Sequence, residues 1–159
     1  MTDSGHINKF NILLAIDFNG GIDPLLEEAE RYGRALDATV YIIHVSDPDP
    51  FIGYIKASNP DEQSLFDMRR QPRAKELRTE HQETQAIGAA LRAKGVRVEH
   101  ALTVQGPILA TIVEQVGKLD IDLLIMGSHH YGALYRLWHG DMATVAASRV
   151  PCALLLVPI

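Results

Sequence analysis

The sequence predicts a doubly wound α/β domain: a five-stranded parallel sheet in the order 3-2-1-4-5, with helices on both faces. Three observations carry this. Four continuous apolar runs, "FNILLAIDF", "TVYIIHV", "IDLLIMG" and "PCALLLVPI", have the pattern of strands buried on both faces. Helical periodicity fills the segments between them, so strands and helices alternate along the chain. A fifth strand-like segment, "VRVEHALTV", instead alternates with a period of two, the mark of a half-exposed edge. A sheet that starts at the first strand, runs outward to this edge and then reverses has the order 3-2-1-4-5.

Taken in order, the first strand ends at Asp17, and "NGG" turns the chain into "DPLLEEAERYGRALDA". There Asp23 can cap a helix and Pro24 suits its first position. Leu25, Ala29, Tyr32 and Leu36 give that helix one apolar face. After "TVYIIHV", the stretch "SDPDPFIGYIKASNP" contains three prolines and reads as a long flexible loop over 46–60. "DEQSLFDMRR" predicts a short helical turn stopped before Pro72, and a separate amphipathic helix then runs to Gly95. In the edge strand, alternation sets Val96, Val98, His100, Leu102 and Val104 on one side. A helix starting at Pro107, the strand "IDLLIMG", a loop, a short helix from about Asp141 and the final strand complete the chain.

Composition bounds the function. The 159 residues suit one domain spanning 1–159, long enough to bury a core without staples. Apolar residues at 47% and charged residues at 22% are ordinary for a soluble globular protein. A formal charge of −5 argues against nucleic-acid or anionic-membrane surfaces, which need concentrated positive charge. The N-terminal "MTDSGHINKF" has no apolar signal core, and no apolar run reaches the ~20 residues that span a bilayer. Cys152 is the single cysteine, so no intrachain disulfide forms; the expected compartment is the cytoplasm.

In open α/β sheets, ligands bind beyond the carboxyl ends of the strands where strand order reverses. Here that point lies between the first and fourth strands, so Asp17 and the loop beginning at Gly127 meet. Asp17 can accept hydrogen bonds from a ribose, and the backbone around Val45 can pair with an adenine edge. As a bland alternative, Asp17 is a turn carboxylate. The helix N-terminus near Gly140 offers N–H groups and a positive dipole end to phosphate.

"ILLAID", "IIHV", "GPILATIVEQ", "DLLIMGSHHYGALYRLWHGD" and "VPCALLLVP" together resemble the universal stress protein family over nearly the whole chain. Nucleotide-binding members of that family carry G-x2-G-x9-G-[ST] after the fourth strand. Gly127 and Gly140 match the first and last glycines at the proper separation. His130 stands in place of the middle glycine, with Gly132 displaced by two positions, and Asp141 stands in place of the Ser/Thr. A Cβ at His130 disfavours positive φ, although its imidazole can donate to a phosphate oxygen. Asp141 is an anion where an anion has to bind, and it also caps helices well.

The resemblance implies a non-catalytic stress-response or signalling protein with an adenine nucleotide, AMP or ATP with Mg²⁺, as regulatory ligand. The residues implied are Ala15, Ile16, Asp17, Val45, Met126, Gly127, His129, His130, Gly140, Asp141 and Met142. The competing reading is an interaction protein with its pocket closed, acting only through its dimer surface. The last strand reads as apolar yet falls at a sheet edge, which predicts a homodimer through Cys152–Ile159; its own helices covering it is the alternative.

Other constellations are weaker. "FNGGIDP" resembles part of the S-G-G-x-D-S loop of ATP pyrophosphatases, but both serines are missing. His129, His130 and His139 lack zinc-site spacing. His44, inside a buried-strand pattern, reads as a hydrogen-bonded core histidine. Cys152 has no evident base and reads as packing.

Overall fold

A computed structural model of the protein describes residues 9–18, 21–46, 60–128 and 142–159; at 60–71 and 142–144 only the backbone is described. Strands are β1 (Asn11–Ile16), β2 (Thr39–Ser46), β3 (Arg97–Gln105), β4 (Leu123–Ser128) and β5 (Ala153–Pro158). Helices are α1 (Asp23–Ala35), α2 (Pro60–Ala93), α3 (Ile108–Lys118) and α4 (Met142–Arg149). The strands form one sheet in the order β3-β2-β1-β4-β5, every neighbouring pair parallel. This is the architecture expected from the alternation of apolar runs and helices.

The sheet separates two apolar layers. Ile12, Leu14 and Ile16 of β1 pack with Leu25 and Ala29 of α1 and Leu91 of α2. Leu13 points the other way, into a layer with Ile112 and Val116 of α3 and Ala146 of α4. β1 is therefore buried on both faces, which is why its sequence is continuously apolar. At the amino end of the sheet, Asn11 joins β1 to the α3–β4 turn. Its Nδ2 donates to the Leu119 and Asp120 carbonyls at 3.1 and 3.2 Å, and its N–H donates to Asp122 Oδ2 at 2.8 Å.

Several expectations are corrected. The helix expected to stop before Pro72 runs unbroken from Pro60 to Ala93, with Pro72 inside it. An interior proline removes one hydrogen bond and crowds the preceding turn, at about 3 kcal/mol. Pro72 lies on the exposed side, and the carboxyl half of α2 is held against the sheet through Leu91 and its neighbours. Of the 46–60 loop, Ser46 belongs to β2 and Pro60 to α2, while 47–59 lie outside the described residues. Gly95, with φ of +84°, does close α2 as expected.

Asp23 is the first helical residue and not the cap, a place taken by Ile22 without a side-chain bond. Its carboxylate instead sits in the first turn, where the helix dipole favours it. In the apolar face of α1, Leu25 and Ala29 are buried and Tyr32 is partly buried, but Leu36, at the helix end, is exposed.

The β3 alternation is broken by a bulge: Val40 pairs with Val98, yet Tyr41 pairs with His100, leaving Glu99 as the extra residue. Val96 and Val98 consequently face α2, whereas His100, Leu102 and Val104 turn to the opposite face, and Leu102 stays 43% exposed. Finally, the helix expected from Pro107 opens at Ile108, with Pro107 as its cap residue.

Candidate functional site

Ala15 pairs with Met126, so β1 and β4 run side by side to their carboxyl ends. Asp17, partly buried, leaves the sheet one residue after β1, and Gly127 lies one residue past the last β1–β4 pair. The expected neighbourhood of Asp17 and Gly127 at the strand-order reversal is therefore present.

β2 reaches further than β1. The β1–β2 ladder ends at Ile16 opposite His44, while β2 continues to pair with β3 as far as Ser46 opposite Gln105. The Ser46 carbonyl accepts from Gly106 N–H at 3.2 Å, on the β3 side. Successive residues of a strand turn their backbone groups to alternate neighbours, so the Val45 carbonyl faces the β1 side, past the last paired residue. Its side chain is buried in the α3 layer. A hydrogen-bonding backbone edge thus sits beside the Asp17 turn.

Gly127 has a packing reason of its own. A Cβ there would collide with the Ile159 side chain and lie 3.7 Å from Leu25 Cδ1. The glycine lets Ile159 fold over the end of β4 toward α1. Of the remaining predicted residues, Ala15, Ile16 and Met126 line the strand ends, Ile16 on the α1/α2 face and Met126 on the α3 face. Met142 opens α4. His129, His130, Gly140 and Asp141 lie outside the described residues.

His44 is the hydrogen-bonded core histidine expected. It is 7% exposed, and its Nδ1 lies 3.0 Å from the Ile16 carbonyl oxygen. Sequence reasoning missed the groups around it. Phe18 packs against the imidazole with ring centroids 4.6 Å apart. Glu80 of α2 brings Oε2 to 3.7 Å from His44 Nε2. Arg73, also on α2, donates to Ser46 Oγ at 2.7 Å and pairs with Glu76 at 2.7 Å. In the sequence, Arg73 and Glu80 are two charges among many on a polar helix; only the packing of α2 across β2 singles them out.

Elsewhere the chemistry is muted. Burial pushes the Cys152 thiol up, a backbone hydrogen bond at Leu124 opposes this, and the Asp122 charge adds to it. A thiol held protonated in this way is a poor nucleophile. Burial, and then the Glu99 charge, raise the Tyr41 hydroxyl. Among the described residues, no three His, Cys, Asp or Glu side chains are placed to hold a metal ion. No helix among them is long and apolar enough to cross a membrane.

Comparison with known proteins agrees with this geometry. The pattern of the universal stress protein family matches residues 10–158. The Thermus aquaticus "Universal stress protein in QAH/OAS sulfhydrylase 3'region" is 30% identical over 151 residues, covering 92% of this chain and 96% of that one. The fold is shared with a universal stress protein solved in complex with cAMP, at TM-score 0.59 and 18% identity, covering 94% of this chain and 97% of that one. It is shared as well with the Archaeoglobus fulgidus universal stress protein in complex with dAMP, at TM-score 0.57 and 15% identity, covering 93% and 97%. With nearly its whole length matched by the family pattern and its sheet in the same order as expected, the chain belongs to the universal stress protein family.

Proposed function

We propose that this protein is a non-catalytic stress-response or signalling protein of the cytoplasm that binds an adenine nucleotide where β1 and β4 end. The observation that carries the reading is the juxtaposition, at the strand-order reversal, of the Asp17 turn, the outward Val45 carbonyl and the end of β4 at Gly127. Asp17 accepts the ribose hydroxyls, the Val45 backbone takes the adenine edge, and the strand ends at Ala15, Ile16 and Met126 form the floor. His129, His130, Gly140 and the N–H groups after Asp141, including that of Met142, face phosphate. The relatives solved with cAMP and dAMP support the choice of adenine.

Calorimetric titration of the full chain with AMP and with ATP, with and without Mg²⁺, tests the reading. Asp17→Ala removes a charged acceptor and is expected to weaken binding by about ten- to a hundredfold. Unchanged affinity in that variant would remove Asp17 from the site. Phosphate release that depends on Asp17 would instead make the protein an enzyme.

The second part of the reading is a homodimer along β5. This strand is the sheet edge, it is apolar, and Leu156 is 38% exposed on it. An unblunted apolar edge is a template for pairing with another chain. Leu156→Lys is expected to convert the dimer to a monomer in light scattering without unfolding it. A wild type that runs as a monomer at all concentrations removes this part. The competing reading, an interaction protein with a closed pocket, is favoured by Ile159 covering Gly127 and by Asp141 in the motif.

A further inference from the structure

We infer that Glu80 of α2 positions the nucleotide-binding turn, acting through His44; the effect on affinity rests on the nucleotide reading above, but the contact does not. The Ile16 carbonyl can only accept, so His44 Nδ1, 3.0 Å away, carries a hydrogen and donates to it. Nε2 is then the nitrogen nearest Glu80 Oε2, at 3.7 Å. The ring therefore bridges two elements, with Nδ1 held by the β1 carbonyl and Nε2 facing the carboxylate of α2.

Glu80 Oε2 is buried and makes no hydrogen bond within the described residues, so His44 is the group it answers to. The glutamate therefore decides how the ring is held.

The ring in turn holds both neighbours of Asp17. Ile16, the residue before it, is fixed by its carbonyl, and Phe18, the residue after it, packs on the imidazole face. Asp17 thus lies between two residues that both touch the His44 ring. The same helix is tied to β2 and β3 on either side of this contact. Arg73 reaches Ser46, and Thr84, which donates to or accepts from Thr103 at 3.1 Å, sits one turn beyond Glu80. A displacement of α2 thus moves the carboxylate that meets the ribose, and by linkage a nucleotide that fixes Asp17 fixes α2.

Glu80→Leu and Glu80→Gln separate this from a simple packing role. Leucine leaves Nε2 without a partner; glutamine keeps the pairing because its amide N–H donates to Nε2 of the neutral ring. Titrated with AMP and ATP, the leucine variant is expected to bind about tenfold more weakly, with glutamine restoring the wild-type value. In the protein without nucleotide, heteronuclear NMR of the imidazole is expected to show Nδ1 protonated. The Asp17 and Phe18 amide resonances should shift in Glu80→Leu and return in Glu80→Gln. Glu80→Ala, with the same expectation, stands in should the leucine variant fail to fold. An unprotonated Nδ1, or Asp17 and Phe18 amides unmoved by Leu or Ala, overturns the inference. A wild type that binds neither AMP nor ATP refutes the nucleotide reading, and the nucleotide-free spectra still decide the role of Glu80.

Discussion

Leu124→Ala is expected to lower the free energy of unfolding by about 3 kcal/mol, read from the shift in denaturant midpoint at constant slope. Leu124 is 0% exposed in the middle of β4, paired with Leu13 on one side and Leu154 on the other. Its side chain enters the layer that α3 covers with Ile112 and Val116. Truncation removes most of a buried side chain and leaves a cavity that two ladders and a helix prevent from closing, so both the transfer and cavity terms apply. Set against a typical total of about 5–15 kcal/mol, a loss of that size is severe. Leu102→Ala makes the control. The same side chain, 43% exposed on β3, is expected to change stability by less than about 0.5 kcal/mol. Similar losses from the two variants would mean that the β3 bulge does not turn Leu102 outward.

That contrast shows where the sequence is legible. β1, β2 and β4 carry near-continuous apolar runs because helices cover both their faces, and such a run needs no register to be recognised. Strand order followed from the alternation and from the single alternating segment marking an edge. The bulge at Glu99 was hidden, since one extra residue changes no composition; it only reverses which face each later side chain meets. Pro72 misled for a different reason. The rule that proline breaks helices weighs a local cost, and the packing of residues twenty positions away is absent from it.

The candidate site divides along the same line. Asp17, Val45 and Gly127 were readable because topology alone takes them to one end of the sheet. His44 was readable as a buried polar residue that needed a partner, though nothing local named the Ile16 carbonyl. Glu80 was unreadable: its meaning depends on α2 crossing β2 at a particular height, a long-range fact with no short-range signature. The packing of Ile159 over Gly127 was likewise invisible, because a glycine in a phosphate motif has a ready explanation that needs no neighbour.

Asp141→Ser is expected to tighten ATP binding by up to roughly a thousandfold while leaving AMP much less affected. The family motif puts a hydroxyl at this position, next to the phosphates, and this chain puts a carboxylate there. α4 opens at Met142, so Asp141 immediately precedes the helix whose first N–H groups are proposed to serve the phosphate. Two like charges about 4 Å apart repel by roughly 4 kcal/mol at an effective dielectric near 20, the origin of the thousandfold. Serine is as favoured as aspartate immediately before a helix and removes the charge, so the electrostatic term is the one that changes. The penalty falls on the phosphates nearest the cap, so AMP, lacking the outer two, is expected to be the better ligand of the wild type. Mg²⁺ bridging the carboxylate and a phosphate offsets part of the repulsion, so the ATP difference between the two proteins should narrow when the metal is added. Calorimetry with both nucleotides, with and without Mg²⁺, reads all of this in one series. A wild type that prefers ATP, or an Asp141→Ser protein with unaltered ATP affinity, would show that the phosphates do not approach Asp141. No heat from either nucleotide in either protein would leave the proposed dimer along β5 as the working surface of the molecule.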